Sequence, residues 1–393
     1  MHKRNIYSSL EVHLSKPQIT VITGMRRVGK TTALRHLLKQ VSHSNRLYLD
    51  LEKIENRVLF SENSYSAVES GLKALGLVLE SPCVLALDEI QLVPAATSVI
   101  KYLYDTYNIK FLLSGSSSYY LKNHFSESLA GRKRIFEMYP LSFDEFLYFK
   151  GHSAAAIASM SLAPFSSFVY LKFKREYEEF LQFGGFPEVV LSETADDKTA
   201  YLKDIINAFI ELDIKLLSDF SLSNELYKLI QLLAARVGSR IDVSKISSIS
   251  GINRNKVNDY LELLEYTYFI HRIPAYTTNK DKEISAQKKL YLADTGILQS
   301  LAQVSSGQVF ENAIALQLRK RSSVAFYQKK SGQEIDFILD QKTAIEVKET
   351  PSYADLKTLT YRANSVEMAE KMLIGRTASE TDFKEWYWGG NIF

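Results

Sequence analysis

The stretch QITVITGMRRVGKTTALRHLLKQV, residues 18–41, decides the fold of the first part of the chain. It begins with a β-branched run from Gln18 to Thr23, passes through a loop bounded by glycines, and ends in apolar residues at helical spacing. This order predicts a strand, a loop and a helix. A glycine-bounded loop before a helix N-terminus is the usual place for an anion, because the backbone N–H groups there point at the ligand.

Residues 24–31 match the pattern G-x-x-x-x-G-K-[ST] of phosphate-binding loops. We expect Lys30 to reach the β- and γ-phosphates of ATP and the hydroxyl of Thr31 to bind Mg²⁺. The alternative is a chance glycine-rich turn before a surface helix. The predicted nucleotide-binding residues are Gly24, Met25, Arg26, Arg27, Val28, Gly29, Lys30, Thr31 and Thr32.

An acidic pair follows the next strongly apolar run, CVLALDEIQLV, at residues 83–93. Asp88 would hold Mg²⁺ together with Thr31, and Glu89 would polarise the attacking water. A buried strand that ends in acids at its solvated tip is the alternative interpretation.

A third apolar run, KFLLSGSSS at residues 110–118, ends in small polar residues. Ser114 or Ser116 would then sense the γ-phosphate. A serine-rich turn without chemistry explains the pattern as well.

The composition describes a globular chain with several domains. It has 393 residues, 46% of them hydrophobic and 24% charged, with a net charge of +3 that is too small to identify a partner. Its single cysteine, Cys83, excludes an internal disulfide framework. We expect a cytoplasmic protein without a membrane segment. The expected domains are an ATPase core at 1–150, a helical lid and connector at 151–221, a winged helix at 222–300 and a final α/β unit at 301–393.

The segment GGFP, residues 184–187, interrupts the helical pattern of the connector. It fits either a backbone approach to a ligand or a helix stop followed by a rigid turn.

Residues 222–300 predict three helices followed by a polar hairpin-like stretch, the layout of a winged helix-turn-helix. A packing module between neighbouring domains is an equally good interpretation. The early turns of the third helix would present four residues to DNA, namely Arg254, Asn255, Lys256 and Asn258. The wing would add phosphate contacts from Lys280, Lys282, Lys288 and Lys289.

The C-terminal residues predict the order α-β-β-β-α-β. A turn near residues 340–342 would bring Asp336 opposite Glu346, and period-2 alternation places Lys348 on the same face. With Glu311 from the preceding helix, these groups would bind Mg²⁺ and polarise a phosphodiester. A solvated sheet face with ordinary salt bridges is the alternative.

This quartet resembles the PD-(D/E)-x-K nuclease core, although Ile335 stands where the name has proline. The motifs GMRRVGKTT, LALDEIQLVP, FLLSGSSS, LAGRKRIFEMYPLSFDEF and GGFPEVV together resemble the AAA+-type ATPases of bacteria and archaea that end in a nuclease-like domain. The resemblance implies a RecA-like core with nucleotide at a subunit interface of a homo-oligomeric ring, a hexamer or similar. Arg132 would complete a neighbour's site, with Arg134 as the substitute, unless both are solvated charges.

Three functions compete at this point. The first is an ATP-hydrolysing protein that binds and remodels or translocates on DNA. The second is a magnesium-dependent DNA nuclease gated by ATP. The third is a nucleotide-controlled switch or scaffold for a protein partner, with the nuclease-like unit as its docking surface.

Overall fold

A computed structural model describes residues 2–61, 64–116, 131–160, 162–214, 223–277, 286–329, 332–378 and 383–392. Among these residues, no helix is both long and apolar enough to cross a bilayer.

A five-stranded parallel sheet organises the N-terminal part. The strands are β1 (Ile19–Thr23), β2 (Arg46–Asp50), β3 (Cys83–Asp88), β4 (Ile109–Gly115) and β5 (Lys133–Glu137), in the spatial order β2-β3-β4-β1-β5. The accompanying helices are α1 (Ile6–Leu14), α2 (Lys30–Gln40), α3 (Ile54–Ser61), α4 (Tyr65–Ala74), a 3₁₀ turn at Ile90–Leu92, and α5 (Ala96–Thr106). A parallel sheet covered on both faces agrees with the predicted RecA-like core.

Alternate residues of these strands enter two separate apolar cores. Ile22 and Ala86 lie in one core, whereas Val21 and Leu85 lie in the other. This is the period-2 alternation of a strand that is buried on both faces, and it explains why the β3 sequence reads as an unbroken apolar run. The parallel strands also deliver their carboxyl ends to one edge of the sheet, where α/β proteins bind ligands.

A helical segment follows the sheet. It contains α6 (Phe143–Phe149), α7 (Ala154–Ala158), α8 (Ser167–Phe183), α9 (Pro187–Leu191), α10 (Ala195–Ala208) and a π-helical turn at Phe209–Ile214. A capping box between Ser142 and Glu145 begins α6.

The GGFP segment both ends a helix and makes a close backbone approach, but to a side chain of the same protein. Gly184 ends α8 with a φ of 77°, and a Cβ there would lie 1.8 Å from Asp294 Oδ1. The N–H of Gly185 donates to Asp294 Oδ2 at 2.7 Å. Pro187 then begins α9, where a fixed φ suits the first helical position.

Three helices and a two-stranded antiparallel sheet come next, as α11 (Ser223–Ala234), α12 (Val243–Ser250), α13 (Arg254–Tyr266), β6 (Ile270–Ile273) and β7 (Lys289–Leu292). Gly251, with a φ of 74°, makes the tight turn between α12 and α13. Lys280 and Lys282, the predicted wing contacts, lie outside the described residues.

The C-terminal part keeps the predicted element order and adds a final strand. It consists of α14 (Thr295–Leu301), α15 (Ser306–Arg321), β8 (Val324–Gln328), β9 (Glu334–Leu339), β10 (Thr343–Lys348), α16 (Tyr353–Asn364), β11 (Glu370–Gly375), β12 (Tyr387–Trp388) and a 3₁₀ turn at Gly389–Asn391. The sheet order is β12-β11-β10-β9-β8. Asp340 and Gln341 both have positive φ and join β9 to β10, the geometry of a type I′ hairpin turn at the predicted position.

Candidate functional site

The loop after β1 is shaped by its two glycines. Gly24 has a φ of 149°, and a Cβ there would lie 2.0 Å from the carbonyl oxygen of Met138. Gly29, with a φ of 101°, precedes the first residue of α2. Both positions require glycine, because one lacks space and the other has a left-handed backbone conformation. The loop therefore forms the kind of backbone cradle that phosphates occupy.

Lys30 lies at the base of this cradle. Its side chain is buried, and Nζ donates to the carbonyl oxygens of Gly24 at 3.0 Å and Met25 at 3.1 Å. A carboxylate oxygen of Glu89 lies 4.0 Å from the same ammonium. The structure thus brings together the lysine of the first motif and the second acid of the second motif, which are 59 positions apart in the sequence.

Asp88 and Glu89 are buried at the carboxyl end of β3, and neutral donors hold Asp88. Tyr48 donates its hydroxyl to Asp88 Oδ2 at 2.7 Å, and Ser114 donates to the other oxygen of Asp88. Burial and the adjacent Asp88 raise the pKa of the Tyr48 hydroxyl above its usual value, so Tyr48 stays a donor.

The two candidate serines have different positions. Ser114 also accepts from the backbone N–H of Glu89 at 3.1 Å, so it fixes both acids. Ser116 accepts from Gln91 at 2.9 Å, and Gln91 in turn donates to Glu89. Ser114 is therefore the serine that touches the acid pair directly.

A cleft of about 570 Å³ opens over the cradle. Seven of the nine predicted nucleotide-binding residues line it, while Gly24 and Met25 contribute the carbonyl groups that hold Lys30. Thr31 and Asp88 also line the cleft, and a hydroxyl and a carboxylate are oxygen donors of the kind that Mg²⁺ prefers. Among the described residues, no group of three or more His, Cys, Asp or Glu side chains is arranged to hold a metal ion.

The cleft has further walls that sequence motifs did not indicate. The N-terminal segment contributes His2, Arg4 and Tyr7, and α9 contributes Pro187, Glu188 and Leu191. His2 stacks on Phe149 with ring centroids 4.3 Å apart. Local sequence carries no signal for these residues, because they reach the cleft only through the packing of α1, α6 and α9.

Arg132 lies at the opposite edge of the sheet from the cradle. It precedes β5, and its carbonyl oxygen accepts from the N–H of Ile19, the first residue of β1. Its guanidinium pairs with Asp105, with Nε 3.0 Å from Oδ1, and both side chains are more than a third exposed. Arg134 lies over the ring of Phe136, with Cζ 5.1 Å from the ring centroid. Neither arginine is placed to act on the cleft of its own chain.

The C-terminal quartet is brought together as predicted. Extending the β9–β10 register, Phe337 with Ile345, places Asp336 opposite Glu346. The N–H of Val347 donates to Asp336 Oδ2 at 2.8 Å. Burial, Glu346 and Glu311 raise the pKa of Asp336 to about 7, although Lys289 opposes the increase.

Each of the other acids in this cluster has a cationic partner. Glu346 accepts from Lys348 at 2.8 Å and from Arg362 at 3.1 Å. Glu311 accepts from the hydroxyl of Tyr291 at 2.7 Å and lies 3.5 Å from Lys289 Nζ. Lys289 also pairs with Glu334 at 2.5 Å. Arg362, Tyr291 and Glu334 were absent from the sequence prediction.

The prediction that Lys289 contacts DNA phosphates from the wing is wrong. Its side chain is only 5% exposed and faces Glu311 and Glu334. Burial alone would lower the pKa of this ammonium, but Glu311, Asp336 and Glu334 raise it above its usual value. A lysine within a hydrophobic strand and a lysine in a polar wing look alike in sequence, and only the packing of β7 against the C-terminal sheet separates them.

In the predicted recognition helix, α13, three of the four predicted DNA-contacting residues are exposed to solvent. Arg254, Asn255 and Asn258 are exposed on the early turns of α13. Lys256 instead donates to Glu225 of α11 at 2.9 Å. Inward-facing Val257, Leu261 and Leu264 are buried, as predicted.

Comparison with protein families divides the chain into three. Residues 16–147 match the model of a family described as an AAA domain, AAA_14. The N-terminal third is therefore similar to an AAA domain. Residues 174–308 and 306–389 match two families described as domains of unknown function, DUF8612 and DUF4143. The AAA match supports the AAA+ family and its general ATPase activity, and it covers the cradle, the acid pair and Ser114.

Two similar proteins are described only as uncharacterised proteins. One, from Methanocaldococcus jannaschii, is 29% identical over 356 residues, which are 87% of this chain and 77% of that protein. Another, from Haemophilus influenzae, is 25% identical over 334 residues, which are 81% of this chain and 79% of that protein.

Two solved structures align at low similarity. The Aeropyrum pernix Orc1 protein in complex with DNA is 11% identical with a TM-score of 0.30, and the alignment covers 75% of this chain and 90% of that one. AMPPCP-bound DnaA from Aquifex aeolicus is 16% identical with a TM-score of 0.28, covering 67% of this chain and 89% of that one.

Proposed function

We propose that this protein is a magnesium-dependent ATPase that binds DNA and remodels it or translocates on it. The observation that carries the ATPase part is the arrangement of Lys30 between the carbonyls of the cradle and the carboxylate of Glu89. Two backbone oxygens and one acid hold the ammonium. Phosphate oxygens in the cradle would be competing acceptors for the same N–H groups.

The two acids would divide the remaining work. Thr31 and Asp88 would hold Mg²⁺, which offsets charge on the β- and γ-phosphates. Tyr48 and Ser114 orient Asp88 through hydrogen bonds to its two oxygens. Glu89 would accept a hydrogen bond from the attacking water, and its contact with Gln91 positions its carboxylate for this role.

Completion of the site by a second copy is part of this proposal. The position of Arg132 at the far edge of the sheet is consistent with action in trans, since it lies away from its own cleft. Its partner Asp105 would have to release it when two copies assemble into a homo-oligomeric ring. Arg134 is the substitute for this role.

The DNA part of the proposal is supported by the first turns of α13. Arg254, Asn255 and Asn258 are exposed there, after a tight turn from α12, where a helix-turn-helix presents its DNA contacts. Arginine and asparagine are also the side chains that most often read guanine and adenine.

The experiment that tests this function measures ATP hydrolysis with duplex, single-stranded and branched DNA at several salt concentrations. We expect at least one DNA to stimulate hydrolysis and to bind in a salt-dependent manner. The triple substitution of Arg254, Asn255 and Asn258 by alanine should abolish stimulation and leave basal hydrolysis intact. Absence of both stimulation and salt-dependent binding for every DNA would refute the DNA part and favour the switch or scaffold for a protein partner.

An ATP-gated nuclease remains the second candidate, because Asp336 lies opposite Glu346 and the pKa of Asp336 is raised. Two facing carboxylates destabilise a sheet unless a cation lies near them. In this cluster Lys289, Lys348 and Arg362 already supply cations. Incubation of DNA with ATP and Mg²⁺ or Mn²⁺ tests this function, and cleavage by wild type but not by Asp336→Ala would establish it.

A further inference from the structure

Arg4 is a buried arginine beside the phosphate cradle that belongs to no motif. Its side chain is 5% exposed, and its guanidinium makes contacts in three directions. Nη1 donates to the carbonyl oxygen of Val28 at 2.9 Å, and Nη2 donates to that of Tyr139 at 2.8 Å. Nε donates to Glu145 Oε1 at 3.0 Å. One planar group thereby joins the loop, the segment after β5 and the start of α6.

The contact with Val28 controls the direction of an N–H group in the cradle. The carbonyl of Val28 and the N–H of Gly29 belong to one peptide unit, and the chain has no cis peptide among its described residues. In a trans peptide these two groups point in opposite directions. Holding the carbonyl oxygen toward Arg4 therefore fixes the N–H of Gly29 away from Arg4.

The backbone at this position can otherwise rotate readily. Gly29 has a φ of 101°, a region that glycine enters at little cost. A flip of the peptide between Val28 and Gly29 would turn a carbonyl oxygen toward the anion that the cradle should bind. Arg4 opposes that flip with a charge-assisted hydrogen bond, which is stronger than a neutral one.

The contact with Tyr139 fastens the opposite wall. Tyr139 follows Met138, whose carbonyl oxygen fills the space beside Gly24 and whose N–H donates to Thr23 at 2.7 Å. Arg4 thus connects the end of the cradle at Val28 to the segment that packs on its beginning at Gly24.

Glu145 makes burial of the guanidinium possible. Its Oε1 accepts from Arg4 and also from the backbone N–H of Asn5 at 2.7 Å. Its Oε2 accepts from the N–H of Ser142 at 3.0 Å. Because the carboxylate compensates the charge of Arg4, the arginine needs no bound anion to remain in place.

We propose that Arg4 is a positioning residue for nucleotide phosphates, which sets the conformation of the Val28–Gly29 peptide from outside the loop. This inference rests on the proposed nucleotide binding at the cradle. It predicts that loss of Arg4 weakens the binding of phosphates and spares the binding of the nucleoside.

The test measures the affinity of the 393-residue chain for ADP and for adenosine by titration calorimetry. The Arg4→Met, Glu145→Gln double variant removes the arginine without leaving a buried unpaired charge. Glu145→Gln alone retains Arg4 but removes its compensating charge, so it measures separately what loss of the carboxylate does, while glutamine can still serve in the capping box. Arg46→Met is the matched control, because Arg46 likewise donates to backbone carbonyls, those of Leu38 and Val41, at the other end of α2.

We expect the double variant to bind ADP about tenfold or more weakly than Glu145→Gln, as expected for loss of a charge-assisted hydrogen bond. Its affinity for adenosine and the ADP affinity of Arg46→Met should stay within about twofold of wild type. If the double variant does not fold by circular dichroism, Arg4→Lys replaces it. Lysine keeps the charge but not the planar fork, and we expect a loss of about fivefold for ADP.

Equal ADP affinity of the Arg4 variants and Glu145→Gln would overturn the inference. So would an equal loss of ADP and adenosine affinity, since that indicates general damage to the cleft. If wild type itself binds no ADP, the proposed function fails instead, which keeps the two failures distinct.

Discussion

The phosphate cradle and the C-terminal cluster contain the same kinds of residue with opposite arrangements. In the cradle, buried Lys30 donates to two backbone carbonyls and lies 4.0 Å from Glu89, which also accepts from Gln91, while Asp88 is held by the neutral donors Tyr48 and Ser114. In the cluster, lysines and an arginine already pair with Glu311, Glu334 and Glu346. Acids held by neutral groups keep their charge available for a metal ion, whereas acids paired with internal cations are largely neutralised. Residue type alone therefore does not distinguish an acid held by neutral donors from an acid paired with internal cations.

We expect the largest effects from substitutions in the cradle, where they change ATP binding or hydrolysis. Lys30→Ala should lower ATP affinity by at least about a hundredfold, because the cradle loses its only buried ammonium among the described residues.

Glu89→Gln should retain binding and reduce hydrolysis by about 10²- to 10⁴-fold, as expected for loss of a group that activates water.

Nucleotide titration and phosphate release measure these two effects separately. Lys288→Met, at a half-buried lysine away from the cleft, serves as the control for loss of a lysine. Normal hydrolysis by Glu89→Gln would show that the acid pair is assigned wrongly.

On the cluster side, Lys289→Met should destabilise the protein by about 3 kcal/mol, because it leaves the partly buried carboxylates of Glu311 and Glu334 without their buried cation. Denaturant unfolding at pH 7.5 would measure the free energy, and Lys288→Met again provides the matched neighbour. A change below about 1 kcal/mol would mean that Lys289 is no more than a surface-like ion pair.

The pH dependence of stability should differ between wild type and Asp336→Asn. The folded pKa of Asp336, about 7, lies above the unfolded value of about 3.9, so the stability it contributes is complete below pH ~4 and is lost as the pH rises through ~7. Asp336→Asn carries no such titration. We expect the variant to gain stability relative to wild type as the pH increases from ~4 to ~8.

Urea unfolding of both proteins across this range checks the expectation. Equal denaturant slopes are required for the comparison, since a change of slope would signal a different unfolded or native state. A constant difference between the two proteins at every pH would contradict the assigned shift.

We expect the smallest effect from removing an uncharged hydrogen-bond donor to Asp88 in the cradle. Tyr48→Phe removes one hydrogen bond to Asp88 and should cost about 0.5 to 1.5 kcal/mol of stability. Thermal unfolding measures it against Tyr201→Phe on the exposed side of α10. If Tyr48→Phe lost as much stability as Lys289→Met, acids held by neutral donors and acids paired with cations would not differ in their contribution to stability.

Much of the fold was predictable because local patterns and global packing agree. The β-branched run before Gly24 and the helical spacing after Lys30 do form β1 and α2, and the C-terminal order α-β-β-β-α-β is observed. The turn at Asp340 and Gln341 joins β9 to β10 with Asp336 opposite Glu346, since strand periodicity and a short turn fix the register together. The domain boundaries at 150, 221 and 300 stay predictions.

The prediction was weaker where residues from distant elements meet. Lys289 was predicted to contact DNA phosphates from the wing but is buried, and Lys256, predicted to contact DNA, pairs with Glu225. His2, Arg4 and Tyr7 enter the cleft from a segment without a motif. Their positions depend on contacts between elements more than a hundred residues apart, such as Arg4 with Tyr139 and Glu145.

The sequence by itself determined which residue types are present for phosphate chemistry and the order of the elements that carry them. The spacing of the motifs predicts the site residues, because strand and helix periods are local properties. These residues are the glycines at 24 and 29, the lysine at 30 and the acids at 88 and 89. Only the tertiary structure decided which charges face water, a ligand or each other. Ion pairing and burial depend on distances between segments, and these distances separate Lys30 in the cradle from Lys289 in the cluster.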